Sequence, residues 1–176
     1  MSQNNSSQST VDWSVVEHIR AHLLSGAFLT TKKSKVNTMI IGWGQAGFMW
    51  GKGVFVAPVR QTRFTHEQLA VGDHFTVSLP DASMKQAAVF CGKESGRNHE
   101  DKLAACGLKT APARAVDVPV IDGCSMHIEC KVLGQFEMDL EQLDTREIDR
   151  WYSAPGENDE NTHTLYYGEI VAAYAV

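Results

Sequence analysis

Two arginines and two threonines crowd into one short stretch, Arg60, Thr62, Arg63 and Thr65 in RQTRFT. Guanidinium groups and hydroxyls together suit an oxyanion, because the planar fork of arginine matches paired oxygens while hydroxyls add short hydrogen bonds. Phosphate is the expected anion. A second polar run, Ser95, Gly96, Arg97 and then Lys102 in CGKESGRNHEDK, offers the same chemistry. A Ser-Gly turn lets backbone amides point at an anion, and Arg97 and Lys102 add charge.

The first run ends an apolar stretch read as a strand over Val54–Val59, which follows another at Val36–Trp43. Between them lies a glycine-rich connection carrying Trp43, Phe48 and Trp50. Strand edges beside an anion site, with aromatic side chains near, suit a flat ring that carries a phosphate. Thr65 with Gln68 three positions later forms a capping-box pattern, so a short helix is expected to begin at Thr65. A helix start there would also aim backbone amides at the anion.

The elements that must position these groups follow from periodicity. Val15, Val16, Ile19, Leu23 and Leu24 recur at helical spacing in Val11–Ser25, and Gly26 stands at the stop. Ala27–Lys32 and His74–Leu79 read as strands, the latter closed by Pro80. Asp81–Cys91 and His99–Cys106 are expected helices, and Thr110–Val118 is irregular. Val118–Ile121, Ser125–Glu137 and Thr164–Tyr174 read as strands, and Leu140–Trp151 as a charged amphipathic helix or turn region. Many strands without a βαβ rhythm predict a mainly β fold, a barrel with peripheral helices.

At 176 residues with 43% hydrophobic content the chain can bury a core as one domain, expected over 11–176. Residues 1–10 are polar, without an apolar core for a secretory signal, and are expected to be a disordered tail. A formal charge of −5 argues against general nucleic-acid binding, and no apolar run approaches the about 20 residues of a membrane span. The cysteines Cys91, Cys106, Cys124 and Cys130 form no CxxC pair and show no zinc spacing with histidine, so no metal site is expected. A cytoplasmic location with reduced, mostly buried thiols is the favoured reading, and a redox pair the minority one. No GxGxxG or GxxxxGK[ST] is present, and no Ser-His-Asp order or paired-carboxylate motif stands out.

Taken in order, NTMIIGWG, GFMWGKGVFVAPVRQTRFTHE, FTVSLP, CGKESGRNHEDK and HTLYYGEIVAAY resemble the flavin reductase-like family, the FMN-binding split β-barrels that include flavoredoxin. The resemblance runs from about Gly26 to the C-terminus. It implies FMN as cofactor, with Asn37, Thr38 and Met39 along the flavin and Trp43 near the ring. It assigns Arg60, Thr62 and Thr65, with Ser95, Gly96, Arg97 and Lys102, to the phosphate. Trp50 is expected to pack rather than to bind. The family often has an acidic residue after the arginine of the second run, where this chain has Asn98 and His99. His163 falls where the family has a histidine near the flavin and is the one candidate catalytic side chain. His66, His74 and His127 are expected to be structural, and Glu169 to face a partner subunit.

The resemblance further implies a homodimer with FMN near the interface, and electron transfer from NAD(P)H through FMN to flavin or another acceptor. The alternative it leaves is a flavoredoxin-like carrier, passing electrons between proteins without NAD(P)H turnover.

Overall fold

The computed structural model describes residues 11–153 and 161–176. The tail expected at 1–10, and most of the loop expected at Ser153–Thr162, lie outside the described residues. Among the described residues nine strands form: β1 (Ala27–Lys32), β2 (Val36–Ile41), β3 (Gln45–Met49), β4 (Lys52–Arg60), β5 (His74–Leu79), β6 (Thr110–Ala111), β7 (Val120–Ile121), β8 (Met126–Glu137) and β9 (His163–Ala175). Five helices accompany them: α1 (Trp13–His22), α2 (Phe64–Gln68), α3 (Lys85–Lys93), α4 (Lys102–Ala105) and α5 (Thr145–Trp151).

Seven strands make one antiparallel sheet in the order β2-β1-β5-β8-β9-β4-β3, and β6 and β7 pair separately. Four strands separate β2 from β4 in that order, yet the two are in contact. The sheet therefore curls into a barrel, its two edges left unjoined. This is the mainly β barrel with peripheral helices that the sequence predicts.

Alternation explains the core. Leu29, Phe55, Ala57, Val59, Phe75, Val77, Ile128 and Tyr166 point inward and are all but fully buried. Each such leucine, valine, isoleucine or phenylalanine side chain contributes about 1.5–3 kcal/mol when taken out of water. The amphipathic face of α1 adds Val15, Val16 and Ile19 to the same core. Asp12 caps α1 by accepting from the Ser14 amide, and Gly26 at φ 95° ends the 3-10 turn Leu23–Ser25 that follows it. A second cluster, Phe28, Cys91, Leu103 and Ile121 among its members, sits outside the sheet where α3 and α4 cover β2.

The glycine-rich connection after β2 departs from expectation, because it contains β3. Met49 pairs with Lys52, so Trp50 and Gly51 form a two-residue hairpin loop, with φ of 55° and 71°. Two positive φ values match the right-handed twist of the flanking strands, and the glycine accepts one of them without strain. Among the described residues no helix is long and apolar enough to cross a membrane.

Candidate functional site

Strand β2 is an edge of the sheet, pairing only with β1. The helices α2, α3 and α4 gather against it. Three segments remote in sequence meet there. The Asn37 Nδ2 donates to Thr65 Oγ1 at 3.0 Å, and both residues are about 98% buried or more. Gly96 presses against the same asparagine: an ideal Cβ on it would stand 2.2 Å from Asn37 Oδ1 and 2.6 Å from the Phe64 ring. Only glycine lets the turn approach so closely. Asn37 Oδ1 is itself a buried acceptor without a hydrogen-bond partner among the described residues, an arrangement that costs stability unless a donor arrives.

Around this junction lies a cavity of about 110 Å³, lined by residues of β2, Thr62–Thr65, Cys91–Gly92, Glu94–Arg97 and Lys102. Ser95 begins the 3-10 turn Gly96–Asn98, its hydroxyl accepting from the Arg97 amide. Lys102 reaches back, donating to the carbonyls of Thr38 at 2.8 Å and Cys91 at 3.0 Å while only 3% exposed. Burial holds its pKa below the usual lysine value, partly offset by the neighbouring Cys91 and Cys106. An anion beside it would favour the charged form. Arg97 is braced by an ion pair with Glu67 and by donation to the Thr62 carbonyl at 2.9 Å.

A second cavity of about 230 Å³ adjoins the first at shared walls, Met39, Ile40 and Arg63. Its wall is different: Trp43, Pro58, Trp151 and His163 surround the opening, with Arg60 alongside. Trp43 meets Trp151 edge-on at 4.9 Å and His163 at 5.1 Å between ring centroids. His163, 6% exposed, shares a 2.8 Å hydrogen bond between its Nδ1 and the Tyr152 hydroxyl. One end of the groove is thus polar and cationic, the other aromatic.

The structure places several of the expected residues differently within the site. Thr65 does not cap α2: Arg63 precedes the helix without a side-chain cap, and the Thr65 hydroxyl is inside, bound by Asn37. A tertiary hydrogen bond outcompeted the local capping pattern. Thr38 turns its hydroxyl to Thr30 Oγ1 and the Leu29 carbonyl, away from the cavities, leaving only its backbone on the groove side. Arg60 lines the larger cavity and not the smaller one, donating to the carbonyls of Trp151 at 2.7 Å and Asn161 at 3.2 Å. Its guanidinium therefore ties α5 to the end of β4 on the aromatic side. Thr62 stays at the smaller cavity but donates to Asn161 Oδ1 at 2.7 Å.

Trp50 lies on the β3–β4 turn, 57% exposed beside Tyr167 and lining neither cavity. Glu169 pairs with Lys52 at 2.6 Å. His127 bonds Ser78 at 2.9 Å and His66 bonds Thr164 at 3.2 Å, in keeping with structural roles. Trp151, Tyr152 and Glu67 were not singled out from sequence. The aromatic pair Trp151–Tyr152 at the end of a charged helix was the only signal for two of them. Among the described residues no cluster of His, Cys, Asp and Glu could hold a metal ion.

Comparison with known proteins agrees with the architecture. An FMN-binding domain of a flavin reductases-like enzyme from Shewanella baltica OS155 superposes with a TM-score of 0.68 at 16% identity, over 96% of this chain and 74% of that one. Flavoredoxin of Desulfovibrio vulgaris (Miyazaki F) gives 0.65 at 24% identity, over 86% and 69%. The Streptomyces globisporus C-1027 NADH:FAD oxidoreductase gives 0.62 at 17% identity, over 86% and 74%. At such identities these likenesses establish the fold. No curated protein sequence is matched. The sequence profile described as "Flavin reductase like domain" matches residues 25–176, all of the barrel, and the chain belongs to that family.

Proposed function

We propose that the chain binds FMN along the two adjoining cavities and passes electrons from NAD(P)H to flavin or another acceptor. The observation that carries this reading is the groove's polarity: an aromatic chamber and a cationic, hydroxyl-lined chamber share Met39, Ile40 and Arg63. A flat ring bearing a phosphate on a polyol chain has that same division. The unpartnered Asn37 Oδ1 at the junction calls for a donor, and hydroxyls of such a chain supply one.

When bound, FMN supplies the hydride and electron chemistry, and the protein supplies binding and orientation. Arg63, Arg97 and Lys102 give positive charge to the phosphate end, with the hydroxyls of Thr62 and Ser95 and the turn at Gly96. Thr65 acts by orienting Asn37, and Thr38 by holding Lys102 through its carbonyl. Met39, Trp43 and Trp151 bound the ring end and exclude water. His163 and the Tyr152 hydroxyl hold a proton between them at that end, and His163 is the candidate proton donor. Arg60 keeps α5 closed over the chamber.

A homodimer and a cytoplasmic setting accompany this reading. The flavoredoxin likeness supports a second reading, an electron carrier without NAD(P)H turnover. Titration of the purified chain with FMN and with riboflavin tests the first step. Tighter binding of FMN than of riboflavin supports the phosphate chamber, and equal binding contradicts it. Steady-state NADH and NADPH oxidation then separates enzyme from carrier.

A further inference from the structure

We infer that Cys91 and Cys106 are a redox-active pair whose reversible disulfide clasps the segment carrying Ser95, Gly96, Arg97 and Lys102. Their sulfur atoms lie 3.7 Å apart, close enough to bond after small side-chain rotations. The two cysteines stand 15 positions apart, and the segment between them carries the second half of the proposed anion site. Cys91 lines the smaller cavity itself. The other thiols are placed elsewhere: Cys124 contacts Met84 Sδ, and Cys130 is buried in β8.

In the reduced state the segment is held by weaker ties. Lys102 Nζ donates to the Cys91 carbonyl at 3.0 Å, and the Cys106 thiol donates to the Lys102 and Leu103 carbonyls at 3.4 Å. A covalent link at the same two ends restricts opening of the loop it closes.

The thiols differ in access. Cys91 is 1% exposed, and its burial, with the adjacent Cys106 thiol, pushes its pKa up to about 12. Cys106 is only partly buried and makes the first attack. With hydrogen peroxide as oxidant, the Cys106 sulfur bonds to one peroxide oxygen as the O–O bond breaks. A sulfenic acid forms and water leaves. The Cys91 sulfur then attacks the Cys106 sulfur: the S–S bond forms, the S–O bond breaks, and the hydroxide leaves as water with the Cys91 proton. Two thiols are oxidised by two electrons, and one peroxide is reduced to two waters. A thiol reductant reverses the link by exchange.

The link itself stands apart from the flavin reading. The test treats the reduced full-length protein with hydrogen peroxide, alkylates remaining thiols and maps tryptic peptides without reduction. The expected product joins peptides 86–93 and 103–109, and disappears with dithiothreitol. Hydrogen exchange of amides across residues 94–105 is expected to slow by roughly fivefold or more in the linked form. Cys106→Ser shows neither change. Absence of that cross-link, a different pairing, or unchanged exchange in the linked protein each overturns the inference. FMN titration of both forms is read separately: no binding by either contradicts the flavin site and leaves the cross-link and exchange results to decide the pair.

Discussion

Asn37 and Gly96 are so close that a methyl group on the glycine would overlap the asparagine oxygen, 2.2 Å from an ideal Cβ. The contact joins the edge strand β2 to the turn that opens the cationic chamber, and Thr65 joins α2 to the same point through Asn37. Gly96→Ala should therefore displace the turn even though its φ is unexceptional. Forced overpacking of this kind costs about 1–3 kcal/mol. The expected outcome is a lower melting temperature without ligand and FMN binding weakened by about tenfold or more. Unchanged melting and unchanged FMN affinity would show that the turn can move aside.

Arg60 and Arg97 should separate the two ends of the groove. Arg97→Ala removes charge at the smaller cavity, so FMN affinity should fall by about 1.5–3 kcal/mol, the scale of a charged hydrogen bond, with riboflavin binding unchanged. Arg60→Ala removes the tie to the Trp151 carbonyl at the larger cavity. It should weaken FMN and riboflavin alike. Parallel titrations of both ligands check the pair. A loss confined to FMN in the Arg60 variant would return that arginine to the phosphate.

Trp43 should contribute through ring contact alone. Replacing it by alanine removes the aromatic facing Trp151 and His163, and the expected loss is about 0.5–1.5 kcal/mol for riboflavin and FMN equally. Fluorescence titration measures both.

His127 gives the fold a pH dependence that has nothing to do with the groove. Burial lowers its pKa from 6.5 to about 4, opposed in part by Glu129. The unfolded chain therefore binds more protons than the folded one between those values, and stability falls as pH drops from about 6.5 toward 4. The loss attributable to this side chain is on the order of 3 kcal/mol by the low end of that window. Melting temperature against pH should show the decline, and His127→Gln should flatten part of it. An equally steep decline in the variant would assign the effect to other groups.

The candidate site was legible in sequence where residue chemistry is rare enough to stand out. Thr62, Arg63 and Thr65 of the Arg/Thr run and Ser95, Gly96 and Arg97 of the second run line the smaller cavity, while Arg60 lines the larger one. Strand alternation marked the barrel for a similar reason, since one face of each strand must be apolar. Local patterns misled where a tertiary contact competed. Thr65 with Gln68 reads as a capping box, yet Asn37 claims the hydroxyl. Thr38 is one register position from Asn37 and so faces the other side of β2. β3 was hidden because Gly47 within it, and Gly44 and Gly51 beside it, weaken the strand signal, and it forms through pairing with β4. Trp151 and Tyr152 sit at the end of a charged helix, and only the three-dimensional return of α5 to β4 brings them to the groove.

The most direct measurement is an absorbance spectrum of the purified protein with FMN, followed anaerobically as NADH and then NADPH are added. The account predicts flavin bands that travel with the protein and bleach with one of the two donors. Bands that persist with both donors yet bleach with dithionite would contradict the enzyme and favour the carrier. No protein-bound flavin bands after FMN addition would contradict the cofactor site itself.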